Sequence, residues 1–219
     1  MPTEISIANI ALYDIQKSSI RKWKESSSEK LRQDYPILEK NNSVFIDLGV
    51  FDGNWSKQIL DKYPNSHGIG FEPIASQFNI AKNILTTPRY SLLNFAAGEK
   101  AENVIISLEA QGSSSHKKTE HSELCNKIKF TDFIRETDLI DNSVNIDLLK
   151  INIEGDEFSL LLDLIDSGMI TKFTNIQVQF HPFIEGAEEM YRGIKNELDK
   201  THRTTYSYPW IWENWELAS

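Results

Sequence analysis

The chain has 219 residues, 40% hydrophobic and 25% charged, with 23 basic against 32 acidic side chains and a net charge of −9. This suits one domain with a full core, excludes collagen-like and low-complexity classes, and argues against a nucleic-acid partner, which asks for a basic patch. The single cysteine, Cys125, excludes an internal disulfide and a cysteine-based zinc site; no apolar run approaches the ~20 residues of a membrane span, the start MPTEISIANI lacks signal-peptide features, and a cytoplasmic protein is expected.

Residues 1–40 read as a polar helical lead-in, with Ile20 and Trp23 on one face and Pro36 as the stop. The domain is expected over 41–219. It starts with SVFIDLG, a near-continuous apolar run ending at Gly49 that reads as a buried strand of a parallel sheet. NWSKQILDKY is a helix, with Trp55, Ile59 and Tyr63 at spacings of four. HGIGF is a second strand, ending in Glu72 and Pro73. The helix after it places Ile74, Phe78, Ala81 and Leu85 together. YSLLNFAAG is a third strand, and NVIISLEA a fourth, antiparallel insertion.

Residues 111–123 read as a polar loop, either a lid or a solvated insertion; its His116 and His121 could reach a substrate if it closes. FTDFIRETD is a short helix and IDLLKINIE a strand. EFSLLLDLIDSGMI is a helix facing inward through Phe158, Leu161, Leu162 and Ile165, with Gly168 as its stop. NIQVQFH is a strand ending at His181. A helix with Ala187, Met190, Tyr191, Ile194 and Leu198 on one face follows. The tail gives one or two closing strands, with Tyr206, Tyr208, Trp210 and Trp212 alternating onto one face. That face suits core packing or the stacking of sugar rings.

Strands alternating with helices give an α/β fold with a mostly parallel sheet. Ligands of such sheets bind beyond the C-terminal strand ends. The informative residues are therefore Asp47, Gly49, Val50, Phe51, Asp52 and Gly53 after the first strand, and Glu72, Pro73 and Ile74 after the second. Asn94, Ala96 and Ala97 follow the third, Asn152 to Asp156 the next, and His181 the last.

The first of these turns, Asp47-Leu-Gly49-Val-Phe-Asp52-Gly53, is neither a P-loop nor GxGxxG, because Phe51 stands where the second glycine belongs. A pyrophosphate lacks its usual seat. An acid with a glycine turn suits the amino group of an amino-acid head, and Gly49 would let the backbone approach a ligand. Glu72 lies nineteen residues after Gly53, the separation at which an acid takes ribose hydroxyls in nucleotide-binding βαβ units. Ile74 can lie against an adenine face. An amino-acid head beside a ribose describes S-adenosylmethionine.

With VFIDLGVFDGNW, GFEP, NFAAGE, IDLLKINIEGDE and IQVQFH in view, the chain resembles the FkbM-type S-adenosylmethionine-dependent methyltransferases from about residue 43 to the aromatic tail. The most specific element is Lys150-Ile-Asn-Ile-Glu154-Gly-Asp-Glu157, similar to the family's Lys-Ile-Asp-x-Glu-Gly-x-Glu. Asn152 replaces the usual aspartate, and Phe51-Asp52 a small or polar pair. The resemblance implies a class I methyltransferase fold, that is, a Rossmann-like three-layer sandwich whose mostly parallel sheet has an antiparallel C-terminal strand. It also implies S-adenosyl-L-methionine as cofactor and a sugar, glycan or natural-product hydroxyl as acceptor.

Alternation in IDLLKINIE puts Lys150, Asn152 and Glu154 on one side, and a buried lysine there needs an acid such as Asp47, Glu72 or Glu154. Asp156 and Glu157 suit the first turn of the next helix. The cofactor site is expected to comprise Asp47, Gly49 to Gly53, Glu72 to Ile74, Asn94, Ala96, Ala97 and Asn152. Asn152, Glu154 and His181 are the catalytic candidates, with neutral His181 the favoured base. As a metal set these three suit Mg²⁺ poorly, and no metal is expected. A nucleotide-binding oxidoreductase and a non-catalytic S-adenosylmethionine-binding relative are the alternatives.

Overall fold

The computed structural model describes residues 7–26, 28–107, 122–138 and 145–218. The strand made by VFIDL is β1 (Val44–Leu48), buried except at its first residue. Beside it run β2 (His67–Phe71) and β3 (Tyr90–Leu93) on one flank, and β7 (Leu148–Ile151) and β8 (Asn175–Val178) on the other, all parallel. β10 (Trp212–Leu217) pairs antiparallel with β8 and with β9 (His202–Tyr208). The order of the seven strands is β3-β2-β1-β7-β8-β10-β9.

Side-chain alternation divides the core into two layers. Phe45 and Leu148 point to one face, where they meet Trp55, Ile59 and Leu60 of α2 (Asn54–Lys62) and Ala81 of α3 (Ala75–Ile84). Ile46, Leu48, Leu149 and Ile151 point to the other, packing on α4 (Phe130–Glu136), α5 (Glu157–Asp166) and α6 (Ala187–Leu198). The result is three layers, helices on both sides of the sheet, as the alternating elements predict. Tyr35 and Leu38, from the segment the sequence sets apart as a lead-in, belong to the first of these clusters. Among the described residues no helix is long and apolar enough to cross a membrane.

Several expectations are corrected. YSLLNFAAG is two strands: after β3 the chain leaves the main sheet, and β4 (Ala96–Gly98) joins a second sheet in the order β4-β6-β5. There β5 (Glu102–Ser107) pairs antiparallel with β6 (Ser122–Lys129), which the sequence reading missed. Ser122 and Glu123, expected in the polar loop, open β6, while 108–121, with His116 and His121, lie outside the described residues. β7 stops at Ile151, and β8 stops three residues before His181. Pro36 opens a 3-10 turn (Pro36–Glu39) rather than only ending a helix, and proline suits a helix start because its missing N–H has no partner there anyway.

The faces also differ. In α1 (Ile7–Glu25) Trp23 is buried edge-on against Tyr208, whereas Ile20 is exposed. α5 turns Leu160 and Leu164 fully inward, and Leu162 and Ile165 pack only partly. In the tail, Trp210 takes φ +67° in the β9–β10 turn. The left-handed backbone breaks the alternation, and Trp210 packs on Tyr191 of α6 with ring centroids 4.7 Å apart, away from Tyr206 and Tyr208.

Candidate active site

The C-terminal ends of β1, β2 and β7 open into a cavity of about 600 Å³, within the range of small-molecule sites. Below it lies a buried ion pair. Asp47 and Lys150 stand opposite each other in the β1–β7 register. Lys150 Nζ donates to Asp47 Oδ1 at 2.7 Å and to the Gly49 carbonyl at 2.7 Å, and Ser56 Oγ donates to Asp47 Oδ2 at 2.6 Å. Burial holds the Lys150 pKa below its ordinary value despite Asp47. Lys150 therefore braces the β1 turn, as its expected pairing with an acid requires.

The turn itself is tight. Gly49 and Gly53 take φ +83° and +85°, and Phe51, unusually for a bulky side chain, +55°. A Cβ on Gly49 would meet the Asn152 carbonyl oxygen at 2.0 Å. Gly49 thus permits close approach of the neighbouring backbone at Asn152. A Cβ on Gly53 would crowd Ala81 of α3 and Leu85 just beyond it at 3.0–3.3 Å, so the glycine makes room for the end of α3 rather than for the passage into α2. Asp52 Oδ1 accepts the Asn54 N–H at 3.0 Å at the start of α2.

Glu72 is 95% buried at the end of β2, with only 5% of its surface exposed. Oε2 accepts the Phe51 N–H at 2.7 Å and Oε1 the Ile74 N–H at 3.0 Å. Burial drives its pKa up to about 7, against the pull of those two bonds. One acid ties the β1 turn to the start of α3, and each of its oxygens keeps a lone pair for a ligand hydroxyl. Asn94 is not on the cavity wall. Its Nδ2 donates to the Glu72 and Pro73 carbonyls at 2.8 and 3.1 Å and holds that loop in place.

Of the expected residues, Gly49, Val50, Phe51, Asp52, Glu72, Pro73, Ile74, Ala96, Ala97, Asn152 and Glu154 line the cavity, and Asp47, Gly53, Asn94 and His181 do not. Phe95, Val104 and Ile106 complete an apolar slot beside Ile74. The side-chain oxygen of Asn152 is buried without a hydrogen-bond partner among the described residues, an arrangement that folded proteins rarely leave unless a ligand or water completes it.

His181 stands differently from the expected neutral base. Its Nδ1 lies 3.0 Å from Glu157 Oε1 and its Nε2 3.4 Å from Glu154 Oε2. Burial lowers its pKa, but the two carboxylates outweigh it and raise the group to about 9. At neutral pH the ring is a cation with both nitrogens directed at acids. It pairs with Glu154 and, in this cationic form, has no free lone pair for a proton. Glu157, expected only to suit a helix start, is fully buried and also accepts the Gly155 and His181 N–H groups at 2.8 Å.

No protein-family model matches the chain. Among curated proteins, 67 residues are 37% identical to O-methyltransferase 4 of Dictyostelium discoideum, over 30% of this chain and 20% of that protein. The chain thus spans about a fifth of the length of the curated relative it matches. A putative rRNA-methylase from Clostridium thermocellum superposes with a TM-score of 0.54 over 89% of this chain and 95% of its own, at 12% identity. Aeropyrum pernix fibrillarin, solved with natively bound S-adenosyl-L-methionine, gives 0.51 over 89% and 74%, at 10% identity. This chain has the class I methyltransferase fold.

On the class I methyltransferase fold, one wall of the cavity was missed by the sequence reading. It comes from the 3-10 turn Ser28–Gln33, which contributes Glu29, Arg32 and Gln33 next to Asn54, Trp55 and Gln58 of α2. Trp55 Nε1 donates to the Arg32 carbonyl at 3.0 Å, as does Gln177 Nε2 of β8. Trp55, expected only as a core residue, was the one signal pointing there, because its indole N–H needs an acceptor when buried.

Proposed function

We propose that this protein is an S-adenosyl-L-methionine-dependent O-methyltransferase of the FkbM type. The observation that carries the reading is the composition of the cavity. Carboxylates of Glu29, Asp52, Glu72, Glu154 and Asp156 outnumber the bases Arg32 and Lys150 on its walls, a setting that favours a sulfonium cation and opposes the pyrophosphate of a nicotinamide dinucleotide. The curated relative named an O-methyltransferase and the fibrillarin structure with bound S-adenosyl-L-methionine support the same cofactor.

The residues fit that cofactor. Glu72 offers acceptors to the ribose, Ile74, Val104 and Ile106 an apolar slot to the adenine, and Asn152 an unused acceptor to the amino group or to the incoming hydroxyl. When bound, the cofactor supplies an electrophilic methyl group. Glu154 then acts at the mouth of β7: its carboxylate takes the proton of the acceptor hydroxyl, and His181 fixes its orientation. Alignment of the acceptor supplies much of the rate, and the base adds about 10²–10⁴-fold. An uncharged sugar, glycan or natural-product hydroxyl is the acceptor we favour, since the net charge of −9 opposes a polyanion.

Turnover to S-adenosylhomocysteine against a panel of hydroxylated acceptors tests this. Glu154→Gln should lower kcat by about 10²-fold or more with cofactor affinity retained. A Glu154→Gln enzyme of normal kcat removes the residue from the reaction, and a wild type that turns over no hydroxyl acceptor while binding the cofactor favours the non-catalytic relative.

A further inference from the structure

Among the described residues two basic side chains line the cavity, Lys150 and Arg32. Lys150 is committed to Asp47 and the Gly49 carbonyl. Arg32 is held in place but not used up. Its carbonyl takes two side-chain donors, from Trp55 and Gln177, and its guanidinium lies 4.0 Å over the Trp212 ring. Of its donors, Nη1 reaches Glu29 Oε1 at 2.6 Å, and Glu29 is itself 59% exposed. Nε is buried and has no hydrogen-bond partner among the described residues. A stacked guanidinium of fixed backbone, with donor capacity left over, is prepared for a planar anion.

The position fits one end of a long ligand. The apolar slot and Glu72 lie toward β2 and the second sheet. Arg32 lies on the other side of β1, tied to β8 and β10 through Gln177 and Trp212. We propose that Arg32 receives the carboxylate of the amino-acid end of S-adenosylmethionine, so that the cofactor is gripped at its ribose by Glu72 and at its carboxylate by a residue from the N-terminal segment. This rests on the cofactor reading above.

The test is calorimetry with S-adenosylhomocysteine and with 5′-methylthioadenosine, which lacks the amino-acid end. Arg32→Met, which keeps an apolar stem over Trp212, should weaken S-adenosylhomocysteine more than about tenfold, in line with loss of a charge-assisted hydrogen bond, and leave methylthioadenosine unchanged. Arg32→Lys keeps the charge but not the planar fork, and should give the same selective loss to a smaller degree if Arg32→Met fails to fold. The wild type should bind decarboxylated S-adenosylhomocysteine as weakly as Arg32→Met binds the intact compound. Equal affinity of folded Arg32→Met and wild type for S-adenosylhomocysteine, or equal affinity of the wild type for the intact and decarboxylated compounds, overturns the assignment. A wild type that binds neither S-adenosylhomocysteine nor methylthioadenosine overturns the cofactor reading itself.

Discussion

At the scale of single residues, the same side chains hold the fold and offer groups to a ligand. Glu72 shows the coupling. Its pKa of about 7 means that a ligand hydrogen-bonding to its ionised form must displace a proton near neutrality. S-adenosylhomocysteine affinity should therefore rise between pH 6 and 8, and Glu72→Gln should flatten that rise, as calorimetry across pH would read. His181 carries the opposite sign. Because its pKa is raised from 6.5 to about 9, its contribution is complete below pH 6.5 and is lost as pH climbs through 9. By the worth of a pKa unit this is on the order of 3 kcal/mol. Urea unfolding at pH 6.5 and 9.5 should show that loss, and His181→Asn should reduce it. Lys150→Met should cost about 3–5 kcal/mol, because it leaves Asp47 buried and unpaired; an unchanged urea midpoint would deny the brace. The acids at strand ends were legible because spacing alone places them. The state of His181 was not, since Glu154 and Glu157 reach it only after Glu154 and Gly155 turn at φ +55° and +118°.

At the scale of elements, the parallel strands and their helices were readable from apolar runs and four-residue spacings, since both faces of the sheet are covered. β6 escaped because its inward alternation is partly charged: Cys125 and Lys127 are its most buried residues, and Lys127 is tolerated because Glu102, at 2.8 Å, Asp156, at 3.4 Å, and Glu99, at 3.9 Å, surround its ammonium group. The turn Ser28–Gln33 escaped because no apolar pattern marks it. It is fixed instead by long-range bonds from Trp55, Gln177 and Tyr208, whose hydroxyl accepts from Ser28 Oγ at 2.7 Å. A chain beginning at residue 41 would lose Tyr35 and Leu38 from the core as well as one cavity wall. It should melt well below the full chain, since buried side chains of this size contribute ~2–5 kcal/mol each, and should not bind S-adenosylhomocysteine. A truncated chain that melts with the full one and binds normally would separate the segment from the site.

At the scale of the molecule, topology brings together what sequence distance hides. The order β3-β2-β1-β7-β8-β10-β9 sets an acid at the end of β2, a glycine turn after β1 and an unsatisfied amide after β7 around one cavity. An arginine from residue 32 closes its far side. On the proposed reading, that set receives a ligand with a ribose at one end, an amino acid at the other and a positive centre between them. The most direct measurement is a calorimetric titration of the full chain with S-adenosylhomocysteine and, in parallel, NAD. Saturable one-to-one binding of S-adenosylhomocysteine with none of NAD is the predicted result; binding of NAD, with S-adenosylhomocysteine inert, would contradict the account.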